Sequence, residues 1–180
     1  MTQLDEQIAE LLKPYQTQYD LLQSMPGIRK DAAAAILAEI GPDMRQFASA
    51  AHLASWAGLC PANNESAGKH RAAKSRKGNQ WLSATLNQCA WAASVKKGCG
   101  LGDRFRRIAA RRGKKRAIVA IAHAQLVIIY HLLSTGRPYD ERATASFAPD
   151  HQQRQIQYHL RRLSALGVTN PEVGKRPRSK

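Results

Sequence analysis

The chain has 180 residues, 28 of them Lys or Arg against 13 Asp or Glu, for a net charge of +15 at pH 7. That length fits one domain or one with an appendage, and an apolar share of 43% excludes an acidic, self-solvating disordered chain. Cys60, Cys89 and Cys99 include no C-x-x-C pair, which excludes a disulfide framework or a zinc finger and, with the acids in MTQLDEQIAELL where a secretory leader is basic, leads us to expect a cytoplasmic protein.

Leu4, Ile8, Leu11, Tyr15 and Leu22 follow the 4-3-4-7 spacing of a heptad seam, so residues 1–20 read as the end of a coiled coil interrupted at Pro14. A single amphipathic helix folded onto its own domain is the alternative. Leu21 to Gly41 reads as a helix, a Pro26-Gly27 turn and a second helix with Asp31 as N-cap, stopped by Gly41-Pro42. This stretch resembles the helix-hairpin-helix motif, in which the turn and the next helix N-terminus face a phosphate. On that reading Gly27, Arg29 and Lys30 contact DNA, Arg29 standing where the motif has a second glycine. A plain helical hairpin is the alternative.

Phe47 to Gly58 reads as a core helix with Phe47, Ala54 and Trp56 inward and Gly58 as C-cap, and His52 as a satisfied or exposed histidine. Leu59 to Gly78 has the composition of a loop, with Pro61, Asn63, Asn64, Ser66 and Gly68 leading into Lys69, Arg71, Lys74, Arg76 and Lys77. Residues 79–95 read as a helix offering Trp81, Leu82, Leu86, Cys89 and Trp91 to a core, broken by Gly98, Gly100 and Gly102. Asp103 to Arg112 reads as a basic helix with Phe105 and Ile108 on its apolar side. Ala117 to Leu133 spans 17 residues with His123, Gln125 and His131 inside it, whereas a membrane span needs about 20 mostly apolar ones; it reads as a core helix. An acidic turn, a helix from about Asp150 to Leu166 and a basic tail complete the chain. No strand-like alternation appears, so an all-α fold without a membrane segment is expected.

Between Ser66 and Tyr139 stand sixteen basic residues and one acid, Asp103, while the other twelve basic and twelve acidic residues cancel. The whole net charge therefore lies in one segment, and a nucleic-acid backbone is the commonest partner that neutralises such a charge. The candidate contacts are Lys69, Arg71, Lys74, Arg76, Lys77, Asn79, Arg111, Arg112, Lys114, Lys115 and Arg116. Metal-dependent strand transfer needs two or three converging carboxylates, and the basic segment has one, so no metal or other cofactor is expected on this chain alone. Covalent catalysis needs one nucleophile among cations. Ser66, directly before the cations, is the leading candidate, ahead of Ser75, Cys60 and the tyrosines; HLRR at His159–Arg162 matches the H-x-x-R of tyrosine recombinases, but no tyrosine follows Tyr158.

The order MPGI, AAAAILAEIG, ASAAHLASWAGL, ESAGK, SRKGN and RRGKKRAIVAIAHAQL, over roughly Leu21 to Tyr139, resembles the C-terminal domain of bacterial insertion-sequence transposases of the one-ten/one-sixteen group, the bridge-RNA-guided serine recombinases. The resemblance implies a compact helical domain at 21–139 containing the helix-hairpin-helix element, preceded by a coiled-coil remnant at 1–20 and followed by a C-terminal helix and basic tail at 140–180. It implies that Ser66, after Gly58-Leu59-Cys60-Pro61, attacks a DNA phosphate, and that Lys77-Gly78-Asn79 lies near nucleic acid. Two departures stand out: Ala67 separates Ser66 from Gly68, and Leu82-Ser83 replaces a common Leu-Arg. Full-length members also carry an Asp-Glu-Asp-Asp domain that binds Mg²⁺, pair with a guide RNA and form homo-oligomers. The expectation is thus a partial DNA transposase whose acidic domain comes from elsewhere. The alternative is a non-catalytic module for DNA or structured RNA.

Overall fold

Proline has no N–H to continue a helix, and at Pro14 the chain leaves α1 (Thr2–Leu12) through a 3-10 turn, Lys13–Tyr15, into α2 (Gln16–Gln23). The computed structural model describes residues 2–60, 77–141, 160 and 162–163, and the backbone of 65–66 and 69–70. After α2 come α3 (Lys30–Ile40), a 3-10 turn at Met44–Gln46, α4 (Ala50–Trp56), the two-residue strands β1 (Glu65–Ser66) and β2 (Lys69–His70), then α5 (Gln80–Val95), α6 (Gly100–Arg112) and α7 (Lys114–Thr135). The short strand pair leaves the fold all-α. These elements belong to one compact unit, residues 1–141; residues 142–180 form a second. There the predicted 150–166 helix lies outside the described residues except at 160 and 162–163, which are helical.

Helix α7 is the axis of the first unit, packed by α2, α4, α5 and α6. Ile121, Ala122, Leu126 and Ile129 are fully buried, each Leu or Ile contributing about 1.5–3 kcal/mol by leaving water. Among the described residues α7 alone is long and apolar enough to cross a membrane, yet 50% of that window is buried within the fold. Its polar Gln125 is also fully buried, and its Nε2 donates to Pro26 O at 3.1 Å. Gln125 thereby fastens the α2–α3 turn to the central helix, satisfying a carbonyl that the proline turn leaves without a helical partner.

The turn itself is held from the other side. Gly27 has φ +88°, and a Cβ there would stand 2.3 Å from Cys89 O and 2.9 Å from Ala93 N. The glycine is therefore required by close packing on α5 as well as by its backbone conformation. Helix α3 begins two residues earlier than expected: Arg29, in extended conformation, occupies the N-cap, and Asp31 lies in the first turn, where its carboxylate faces the helix dipole favourably.

Three further expectations change. Helix α4 starts at Ala50, capped by Ser49, whose hydroxyl accepts from His52 N at 3.1 Å; Phe47 precedes it in extended backbone. Trp56, 41% exposed, lies over the buried Phe47 ring at 5.6 Å instead of entering the core. On α5, Trp81 and Trp91 are exposed by 72% and 48%, while Leu82, Leu86, Cys89, Ala90 and Ala93 are buried. At about 100° per residue the two tryptophans fall on the face opposite that apolar set, so side-chain type alone misplaced them. Finally, Gly100 and Gly102 start α6 and do not break it: a Cβ on Gly102 would meet Lys96 O at 2.7 Å, so the glycine permits α6 to approach α5. The break lies at Gly98, with φ +65°.

Of the seam residues, Leu4, Ile8, Leu11 and Tyr15 are exposed, from 43% to 74%, whereas Leu22 is fully buried, and Leu12 and Tyr19 pack on the core. The first helix thus offers its heptad face outward.

Candidate nucleic-acid interface

The segment carrying Ser66 lies between Cys60 and Lys77, and the backbones at its two ends touch. A Cβ on Gly78 would lie 2.3 Å from Gly58 N and 2.4 Å from Ala57 C, so no side chain fits between the backbones. Gly58 has φ +72° and ends α4, its N–H donating to Ser55 O while Leu59 N donates to Ala54 O. Asn79 pins the returning foot: its Oδ1 accepts from Leu82 N at 3.0 Å, capping α5, and its Nδ2 donates to Glu39 Oε2 on α3. The excursion is thereby fixed at its base by three helices.

Ser66 lies in β1, opposite Lys69 in β2, with Glu65 opposite His70. This antiparallel register places the serine and the first cation of the segment at paired positions of one hairpin. Arg71, Lys74 and Arg76 lie outside the described residues.

Beside the feet opens a groove of about 620 Å³ lined by Ala57, Gly58, Leu59, Lys77, Gly78, Asn79, Gln80, Ser83, Asn87 and Val119. Lys77 supplies a cation, the start of α5 supplies a helix N-terminus, and Val119 of α7 supplies an apolar wall. Lys115 and Arg116 precede Val119 by four and three residues on α7, so they occupy the neighbouring turn of the same face.

These two residues belong to a corner where α6 and α7 meet at Gly113, φ +81°, with Arg111 and Arg112 in the last turn of α6 and Lys114, Lys115 and Arg116 in the first turn of α7. All five are exposed, and among the described residues none has an acidic partner. Arg111 and Arg112 suit a helix C-terminus; the other three oppose the positive end of the α7 dipole, each at a cost of about 0.3–1 kcal/mol. Cations clustered against a helix dipole and against one another are tolerated when an anion lies over them.

Along α6, Arg104, Arg107 and Arg111 share one stripe, and the ion pair within the helix is Arg106 with Asp103. Partial burial, and then the charge of Arg107, lower the pKa of Arg104. His123 of α7 is half-buried, and burial followed by the charge of Arg104 holds its pKa below the usual imidazole value. Neutral imidazole is favoured there.

The remaining sequence-predicted contacts separate. Arg29 and Lys30 are exposed at the start of α3, whereas Gly27 is half-buried with its α-carbon turned onto α5. Of the alternative nucleophiles, Cys60 is half-buried against the core and Ser75 lies outside the described residues; burial pushes the thiol of the core residue Cys89 up to about 11. Sequence reasoning did not single out Gln80, Asn87 and Val119, and named Ser83 only as a departure from the family pattern. Ser83 and Asn87 at i and i+4 were visible as a polar pair on α5; that Val119 and Gly58 complete their groove depends on helix packing. Among the described residues no group of three or more His, Cys, Asp or Glu side chains could hold a metal ion, so the donors described here do not fit a Mg²⁺ site.

Residues 19–107 match the sequence profile described as "Transposase IS116/IS110/IS902 family". The chain is 33% identical over 152 residues to the pilin gene-inverting protein of Moraxella bovis, covering 79% of this chain and 46% of that protein. It is 30% identical over 143 residues to the "Insertion element IS110 uncharacterized 43.6 kDa protein" of Streptomyces coelicolor, covering 79% of this chain and 35% of that protein. The chain thus spans less than half the length of these relatives. With the alignment running through the hairpin turn, the Ser66 segment and α5, the chain carries a transposase domain of the IS116/IS110/IS902 family.

Proposed function

We propose that this domain grips DNA and cuts and rejoins it during transposition, with Ser66 as the nucleophile toward a phosphate. The observation that carries the reading is the groove at the feet of the Ser66 segment, with Lys77 and the start of α5 lining it and Lys115 and Arg116 on the adjoining turn of α7. The names of two relatives, a pilin gene-inverting protein and a protein of an insertion element, support the reading. Ser66 Oγ forms a bond to phosphorus as the bond to one deoxyribose oxygen breaks; the serine proton passes to that leaving oxygen, and the reverse attack reseals the strand. Lys77 and the corner cations offset charge developing on the phosphoryl oxygens. Carboxylates for Mg²⁺ come, on this reading, from sequence beyond these 180 residues, so the chain alone binds nucleic acid without completing recombination. A guide RNA that reads the target by pairing, and assembly of several copies, complete the proposal, the domain contacting backbone and shape more than base edges. A DNA substrate places this activity in the cytoplasm.

The test is binding of the 180-residue chain to a DNA duplex over a range of salt. Neutralising Lys114, Lys115 and Arg116 to Gln is expected to weaken binding about 10- to 100-fold at low salt and to reduce the salt slope by about two to three units, roughly 0.9 per phosphate released. The same substitutions should leave the melting temperature unchanged or raise it, because they remove cations from a helix N-terminus. Unchanged affinity and slope in a folded variant would overturn the placement of DNA at this corner.

A further inference from the structure

The outer face of α5 carries side chains that the fold does not use. Trp81, Ala84, Gln88, Trp91 and Val95 follow a 3-4-3-4 spacing, so they share one stripe along the helix, and all five are exposed. The core claims the opposite side through Leu82, Leu86, Cys89 and Ala93. Trp91 keeps its ring beside Phe105 of α6, with centroids 5.9 Å apart. Trp81 stands ten residues earlier, about 15 Å along the axis at 1.5 Å per residue. Two tryptophans left outside, on a helix already packed along its other face, make an apolar surface that marks a contact with a partner.

The charge around the stripe says which partner. The helix α5 itself holds no charged side chain. Cations stand at both ends instead, Lys77 before the stripe and Lys96 and Lys97 after it, all exposed and, among the described residues, in no ion pair. The two acids beside the start of α6 are engaged: Asp103 pairs with Arg106, and Glu141 accepts from Gly100 N. A second copy of this chain would bring the same cations to the contact, since residues 66–139 hold the whole net charge, and like charges repel. Flat aromatic rings between cations fit a polyanion that carries flat rings of its own. Single-stranded nucleic acid is that polyanion: its phosphates meet the lysines while its bases stack on the indoles. In an intact duplex each base face is covered by its neighbour, so the stripe selects unpaired nucleotides.

We infer that the outer face of α5 is a stacking surface for an unpaired strand, running from Lys77 over Trp81 and Trp91 to Lys96 and Lys97. The inference rests on the proposed function in taking the partner to be nucleic acid, and it adds a surface separate from the α6–α7 corner, one that holds base faces as well as phosphates. Lys77 stands at the end of the Ser66 segment, so a strand opened there continues directly onto the stripe.

The probes are single strands of about 12 nucleotides, within the range one such surface covers: oligo-dT, oligo-U and an abasic phosphodeoxyribose oligomer of equal length. Each is titrated against the 180-residue chain and read by tryptophan emission and by the anisotropy of an end label. Two of the three tryptophans lie on the stripe, so stacking is expected to quench the emission. At least one base-bearing oligomer should bind about tenfold more tightly than the abasic one, and the tighter of the two identifies the strand as DNA or RNA. Trp81→Ala combined with Trp91→Ala should remove both that preference and the quenching. Trp81→Phe combined with Trp91→Phe keeps a ring at each place and should restore most of the preference. Both pairs should keep duplex binding within about twofold of the parent chain, which separates lost stacking from lost folding. Lys96→Gln combined with Lys97→Gln should weaken base-bearing and abasic oligomers alike. The surface is overturned if base-bearing and abasic oligomers bind equally, if the alanine pair binds them as the parent does, or if the phenylalanine pair does no better than the alanine pair. A dimer of the parent chain that the alanine pair abolishes, with oligomer binding independent of the tryptophans, would likewise overturn it and assign the stripe to a protein contact. Any of these with the salt-dependent duplex binding intact sinks the stacking surface alone; loss of that duplex binding sinks the wider reading.

Discussion

Replacing Ser66 by alanine is expected to remove the covalent protein–DNA adduct altogether, a drop of about 10³-fold or more, while duplex affinity changes by less than about twofold. The asymmetry follows from what the substitution deletes. The attacking oxygen is the whole of the nucleophile's chemistry, but it carries no charge and so releases no counterion on binding. The experiment supplies an Asp-Glu-Asp-Asp domain from a full-length relative together with Mg²⁺ and end-labelled DNA, and reads the adduct on a denaturing gel. An adduct that persists in Ser66→Ala assigns the nucleophile elsewhere. Absence of adduct from the parent chain under the same conditions favours a non-catalytic binding module.

The second large effect concerns stability. Gly27→Ala is expected to cost about 4 kcal/mol or more, because the new methyl must occupy a point 2.3 Å from Cys89 O while the backbone stays at φ +88°. For a chain of this size that is roughly 10 °C in melting temperature. Gly113→Ala is the control: its φ is +81° and ψ 159°, yet nothing stands within 4 Å of the added Cβ, so only the conformational cost of about 1–3 kcal/mol remains. If both variants melt alike, the α2–α3 turn is not clamped on α5 as described. The comparison also bears on function. Gly27 was read from sequence, with Arg29 and Lys30, as a contact to DNA; the fold also packs its α-carbon on α5, with Arg29 and Lys30 exposed next to the turn.

The amino-acid sequence makes some elements legible because their signals are local. Gly41 and Gly58 close α3 and α4 where expected, Asn79 caps α5, and the apolar run around Ile121 becomes the central helix. Residues whose role depends on a distant neighbour read differently. Gly100 and Gly102 look like breakers until Lys96 O is seen against α6, and Trp81 and Trp91 look like core residues until the angular position of Leu82 and Leu86 claims the inner face of α5. The site divides in the same way. Its charge was visible as a run from Lys69 to Arg116, and Ser66 as the hydroxyl at its start. The groove was not, because Gly58, Gly78, Asn87 and Val119 come from four stretches of chain that meet only after α4, α5 and α7 pack.

On the proposed function, DNA lies over the Ser66 segment, the groove at its feet and the α6–α7 corner. Photo-crosslinking a duplex that carries 4-thiothymidine to the 180-residue chain, followed by peptide mass spectrometry, reads that placement directly. Crosslinks are expected within residues 66–83 and 111–119; crosslinks confined to the exposed face of α1, or to the Trp91 end of α5, would overturn that placement.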